Sequence, residues 1–205
     1  MGSYGNKPWF QKQLQPMVKL LGDVNPDVLT WSAVGLSIVA GGLLYNSYER
    51  PWMAVAAVPL LMGRLALNSV DGILAAQKGS SRPSSEVLKS LSNRLSDVAI
   101  FLSLAFWPDI KVHLVLLAII AVLIVSYVGV LGRAVTGKPV DGGVLAKADR
   151  MVLLMVTCLV YGLVPNATFA GFSVFECMFA LFIPLASITL LQRLNHIFNN
   201  LPGTD

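Results

Sequence analysis

Asn68-Ser-Val-Asp71-Gly72-Ile-Leu-Ala75-Ala76, then eight residues, then Ser85-Glu-Val-Leu-Lys89-Ser-Leu-Ser-Asn93-Arg-Leu-Ser-Asp97: the reading of this stretch decides the fold. Its polar residues recur at helical intervals. Asn68, Asp71 and Ala75 share one face at i, i+3 and i+7, and Ser85, Lys89, Asn93 and Asp97 share another, each four apart. The short connection Gln77–Ser84 makes the two segments neighbours, so the stripes are expected to face each other. A charge at the centre of a bilayer costs at least about 2.5–3.5 kcal/mol, so polar stripes in an apolar chain mark helices that line an internal polar site.

The chain around the stretch is apolar enough for that argument to apply. Its 205 residues are 55% hydrophobic and 13% charged, with a mean hydropathy of +0.69. A soluble domain carries about a quarter charged residues, so about half the usual charge is missing. This excludes a disordered chain and indicates a single membrane domain over 1–205. The net charge of +4 does not indicate nucleic acid, because no Lys/Arg cluster or aromatic-interleaved basic face accompanies it. Cys158 and Cys177 sit in apolar runs and read as small buried hydrophobes, without a metal or disulfide framework. The N-terminus shows no cleavable signal pattern.

Apolar stretches long enough for roughly 30 Å of hydrocarbon occur at Val28–Tyr45, Trp52–Ala76, Val112–Gly132 and Phe172–Leu191. Met151–Val164 reaches spanning length when extended back through Leu145–Arg150, and Ser84–Trp107 is a sixth span whose first half is polar. The spans therefore run from about 28 to 192. Before them, residues 8–21 read as an amphipathic helix lying in the interface, with Phe10, Leu14, Met17, Val18 and Leu21 on one face and Lys12 and Lys19 away from it. The expected fold is an all-α integral membrane protein: six transmembrane helices plus that interfacial helix. Six spans put ten Lys and Arg residues on the N-terminal side and two, Arg50 and Lys111, on the other; this predicts a multi-pass protein with both termini cytoplasmic.

The motif stretch resembles that of the CDP-alcohol phosphatidyltransferases, D-x-x-D-G-x-x-A-R, eight residues, then G-x-x-x-D-x-x-x-D. The spacing matches without a gap, and Asp71, Gly72 and Ala75 match in identity. The likeness covers nearly the whole chain: Asn25-Pro26 and Thr30 before the first span, Arg64-Leu-Ala-Leu-Asn68, Arg94-Leu-Ser-Asp97, and Asp141-Gly142 followed by Lys147-Ala-Asp149-Arg150. The resemblance implies a membrane transferase of phospholipid biosynthesis that displaces CMP from a CDP-linked lipid with an alcohol. It also implies two divalent cations held by the aspartates, a last aspartate acting as general base, a glycine that admits the nucleotide, and an arginine on phosphate.

Five positions depart from that pattern: Asn68, Ala76, Ser85, Lys89 and Asn93 stand where the family has aspartate, arginine, glycine, aspartate and aspartate. Asparagine offers a carbonyl oxygen but no charge and no base, and a lysine ammonium stands where a cation belongs. Asp71 and Lys89 sum to zero, so they are expected to pair in place of the metal. The remnant site is then Asn68, Asp71, Lys89, Asn93 and Asp97, with no assigned catalytic residue. Asp71 is a metal ligand only if a metal is bound, and Asp97 rescues a metal site only if its helix shifts by a turn. Gly72, Ala75, Ser85, Lys147 and Arg150 are the expected substrate-binding positions, the last two near where relatives hold the acceptor phosphate. No cofactor is expected; Mg²⁺ or Mn²⁺ belongs to the reading as an active enzyme. The expected partners are the lipid bilayer, a CDP-lipid or phospholipid, and a second copy or an intact-motif paralogue, with no nucleic acid. Three functions stay open: a catalytically degenerate member (a pseudoenzyme) that binds a lipid or nucleotide headgroup or another membrane protein, an active transferase, and a structural subunit of a membrane complex. A self-satisfied polar network that merely fixes helix register is the plainest account of the charged residues. Glu176, near the start of the last span, reads as facing the interface, and His113 and His196 as interfacial residues.

Overall fold

The computed structural model describes residues 15–18, 21–22, 24–77 and 83–201. Six long helices carry these residues: α1 (Pro26–Asn46), α2 (Trp52–Gln77), α3 (Pro83–Leu104), α4 (Val112–Thr136), α5 (Lys147–Leu163) and α6 (Val174–Phe198). A two-stranded antiparallel hairpin, β1 (Thr168–Phe169) and β2 (Phe172–Ser173), precedes α6. Ala170 and Gly171 turn it with positive φ of 51° and 78°, the backbone of a tight two-residue hairpin. Most of the expected interfacial helix, 8–21, lies outside the described residues; its 15–18 portion is helical, and Val18 packs with Leu29, Val70 and Leu74.

Local chemistry sets several helix ends. Asn25 caps α1, its Oδ1 accepting from Asp27 N at 3.1 Å, with Pro26 in the first turn. Gly137 at φ 68° closes α4. Ser173 and Glu176 form a reciprocal capping box on α6. Pro59 and Pro184 lie inside α2 and α6, as membrane-type helices tolerate.

The packing closes a ring in the order α1, α2, α5, α6, α4, α3 and back to α1. At one end the links after α1, α3 and α5 meet. There Trp107 Nε1 donates to Leu44 O at 3.0 Å and the Trp107 ring packs on Tyr48, Tyr161 and Phe175. The Tyr48 hydroxyl donates to Asp109 Oδ2 at 2.7 Å, which holds this exposed phenol above its ordinary pKa. Phe101 of α3 meets Phe179 and Phe182 of α6 edge to face inside the ring. Small residues bring α1 onto α3: a Cβ on Gly41 would stand 3.1 Å from Ala99 O.

Four helices are long and apolar enough to cross a membrane by length and composition: Asp27–Asn46, Trp52–Leu74, Val112–Thr136 and Val174–Phe198. The all-α membrane class is thereby met, while α3 and α5 fall outside the apolar set, α3 through its polar stripe and α5 through its 17-residue length.

Candidate functional site

The two polar stripes do face each other. Asp71 on α2 and Lys89 on α3 form an ion pair at 2.6 Å, with 8% of the aspartate and 29% of the lysine side chain exposed. One turn deeper, Asn93 is buried and its Oδ1 accepts from Lys147 Nζ at 2.5 Å, which brings in the first turn of α5. Deeper again, Asp97 is completely buried. Arg64 Nη2 of α2 donates to its Oδ1 at 2.6 Å, and Arg150 Nη1 of α5 approaches its Oδ2 at 3.6 Å, an ion pair too long to be a hydrogen bond. Three helices are thus joined by a ladder of charge: α2 to α3 at Asp71–Lys89, α3 to α5 at Asn93–Lys147, and all three at Asp97.

The remaining candidates divide. Asn68 is half-buried and its Nδ2 donates to Arg64 O one turn back, so its amide nitrogen is spent on its own helix. Gly72 is exposed beside the ion pair, and a Cβ there would stand 3.9 Å from Lys89 Nζ. Ala75 continues α2 beyond it. Ser85 leaves the group: its Oγ donates to Asp27 Oδ1 at 3.1 Å, tying α3 to the start of α1. Arg150 is buried among Asp97 and its neighbours.

Two expectations are corrected. Asp97 does not stand by for a shifted metal, because two arginines hold its carboxylate. Glu176 does not face the interface: it is buried, accepting from Lys111 N at 3.1 Å and Ser173 N at 2.8 Å, with the Lys111 ammonium 3.7 Å away. The N-terminal backbone amides of α6 and the preceding loop draw it inward.

Arg64 is the residue that sequence reasoning passed over. It stands four before Asn68 and seven before Asp71, on the same helical face, so its spacing already placed it in the stripe. Arg193 was counted as a surface cation; it is buried instead, donating to Val125 O at 2.7 Å, Gly142 O at 2.9 Å and Asp141 O at 3.1 Å.

Tested as a site for divalent cations, these residues do not fit. Hard cations want several oxygen ligands, mostly charged. Asp71 is the one carboxylate at the four motif positions, and Lys89 holds it; the Asn93 oxygen is engaged by Lys147. Among the described residues, no three His, Cys, Asp or Glu side chains gather as a metal-ligand group.

No family model matches the chain. It is 28% identical over 168 residues to the inner membrane protein YnbA of Escherichia coli K12, covering 81% of this chain and 83% of that protein. It is 29% identical over 166 residues to the phosphatidylinositol phosphate synthase of Corynebacterium glutamicum, covering 76% of this chain and 73% of the synthase. Its fold is shared with the crystal structure of the Mycobacterium tuberculosis phosphatidylinositol phosphate synthase PgsA1 with CDP-DAG bound. That likeness has a TM-score of 0.70 at 21% identity and covers 94% of this chain and 96% of that one.

Proposed function

The chain belongs to the CDP-alcohol phosphatidyltransferase family, and from that membership we propose that it keeps the family's membrane domain without its two-metal chemistry and works by binding a lipid or nucleotide headgroup. The observation that carries this reading is the 2.6 Å ion pair of Lys89 with Asp71. An ammonium neutralises the surviving carboxylate, so the site has no charge deficit left for a divalent cation to fill. The general base is gone as well, since Asn93 has no basic oxygen.

The finer architecture belongs to the same reading. The domain makes six crossings, α3 and α5 included, because their polar groups turn inward onto the charge ladder and leave apolar surface to the lipid. Residues 8–21 lie along the interface. The ten-to-two distribution of basic residues supports both termini being cytoplasmic, so the ladder opens to the cytoplasm at Gly72 and Lys89. A second copy, or a paralogue with the intact motif, is the expected protein partner.

A second reading has an observation of its own. The relative from C. glutamicum is named as a synthase, and the M. tuberculosis fold neighbour was also solved in complex with manganese and citrate. On that reading this chain is an active transferase with unconventional ligands drawn from Asn68, Asp71, Asn93 and Asp97.

Titration of the purified protein with Mn²⁺, followed by electron paramagnetic resonance of the free ion, separates the two. The wild type is expected to leave the free-ion signal undiminished. The Asn68→Asp/Lys89→Asp/Asn93→Asp variant, which restores the carboxylates, is expected to take up the ion. Saturable Mn²⁺ binding by the wild type would sink the metal-free reading and leave the transferase.

A further inference from the structure

The charge ladder is more cationic than its own carboxylates require. Arg64, Lys89, Arg94, Lys147 and Arg150 lie within electrostatic reach of one another, while Asp71 and Asp97 are the acids paired inside the ladder. Widening the circle to Asp141 and Asp149 also takes in Arg193, and the cations still outnumber the acids. Arg150 is 3% exposed, yet its Nε and Nη1 find no hydrogen-bond acceptor, and the Nε of the equally buried Arg64 finds none. A buried donor without an acceptor costs about 1–3 kcal/mol, more when charged. Surplus positive charge and unmet donors together fit a ligand that brings negative charge and many acceptor oxygens.

The mouth of the ladder shows where such a ligand enters. Lys89 is the most exposed member of the two aspartate ion pairs, with 29% of its side chain open, and Gly72 beside it carries no side chain to cover the ammonium. Asp71 uses one direction of an ammonium that has three donors. The other donors are available to an incoming oxygen.

We propose that Lys89 takes over the work of the absent cation: its ammonium, bridged to Asp71, binds the phosphate of a phosphate-bearing headgroup directly, without a divalent metal, with Lys147 one turn deeper completing the cationic cradle. This inference rests on the metal-free reading above and adds the chemical class of the ligand and the group that grips it. The shared chemistry is a phosphate mono- or diester, whether carried by a lipid, a nucleotide or free phosphate.

The test is the melting temperature of the full chain in detergent with EDTA present, measured with CDP-diacylglycerol, with CDP and with inorganic phosphate as separate probes. Ligand at about 100 times its dissociation constant is expected to raise the melting temperature by roughly 5–10 °C. Replacing EDTA by Mn²⁺ is expected to add nothing. A shift with CDP-diacylglycerol alone identifies a lipid site, a shift also with CDP a nucleotide site, and a shift with all three a simple phosphate site; each supports the proposal. The Lys89→Gln variant should lose the shift. Because it leaves Asp71 unpaired, the charge-balanced Asp71→Asn/Lys89→Gln double variant is measured beside it and should melt as a folded protein without responding. A retained shift in the double variant overturns the proposal, as does no shift with any probe in the wild type. If the wild type instead takes up Mn²⁺ and shifts only with it, the metal-free reading falls as well, so the two failures are told apart.

Discussion

Asp71 and Asp97 lie on facing helices, but their surroundings give their charges different weight. Asp97 is sealed between Arg64 and Arg150, so its removal strands two buried guanidinium groups. Asp97→Asn is expected to cost about 3–5 kcal/mol, read as loss of folded protein in detergent unfolding curves. Asp71 has one partner, partly in contact with water, and the penalties shrink accordingly. Asp71→Asn and Lys89→Gln should each cost about 1–3 kcal/mol, and the double variant should cost less than the two added together. A double-mutant cycle with no coupling would mean that the pair meets geometrically without contributing to stability. The Asp71–Lys89 contact was legible in the sequence because both partners sit on stripes of regular helical spacing in consecutive segments. The Arg64–Asp97–Arg150 group was half legible. Arg64 announces itself by period, but Arg150 comes from a helix whose position in the ring no local pattern states.

At the scale of the helices, the least legible contact is the one Arg193 makes. Its acceptors are backbone carbonyls 51, 52 and 68 positions away, and a carbonyl has no signature in a sequence. What the sequence does carry is Gly129. A Cβ there would stand 2.5 Å from Arg193 Nη1 and 3.0 Å from Val140 O, so α4 and α6 approach closely only because that position is bare. Gly129→Ala must push the guanidinium off its carbonyls or spread the helices. The expected cost is about 1–3 kcal/mol, measurable as a lower melting temperature, with little effect on the ligand response at Lys89. The same logic explains why Glu176 was misjudged: a carboxylate near a helix start looks like a surface residue until the capping box and the Lys111 amide draw it in.

At the scale of the whole molecule, the ring order α1, α2, α5, α6, α4, α3 interleaves the two halves of the chain. Hydrophobic length gave the helices, and the basic-residue asymmetry gave a topology, but neither contains the order in which helices neighbour one another. That order is written in the interior charges and the small-residue contacts. The six-crossing arrangement is open to direct test. Cysteines placed at Lys138 and at Glu49, both exposed between helices, should react with an impermeant thiol reagent from opposite faces of sealed vesicles. Labelling of both from the same face would remove the six-crossing topology.

The brevity of α5 has a further consequence. At 17 residues it rises about 25 Å, several ångström less than a typical hydrocarbon core. Its first turn is held by the ladder at Lys147 and Arg150, so it cannot slide to share the shortfall between its two ends. The lipid must give way instead, and the leaflet over Leu163 and Val164, both exposed, dips toward the helix. The protein would carry a dimple of thinned bilayer on one flank, a standing hydrophobic mismatch that makes thin membranes its preferred surroundings and thick, rigid ones unfavourable.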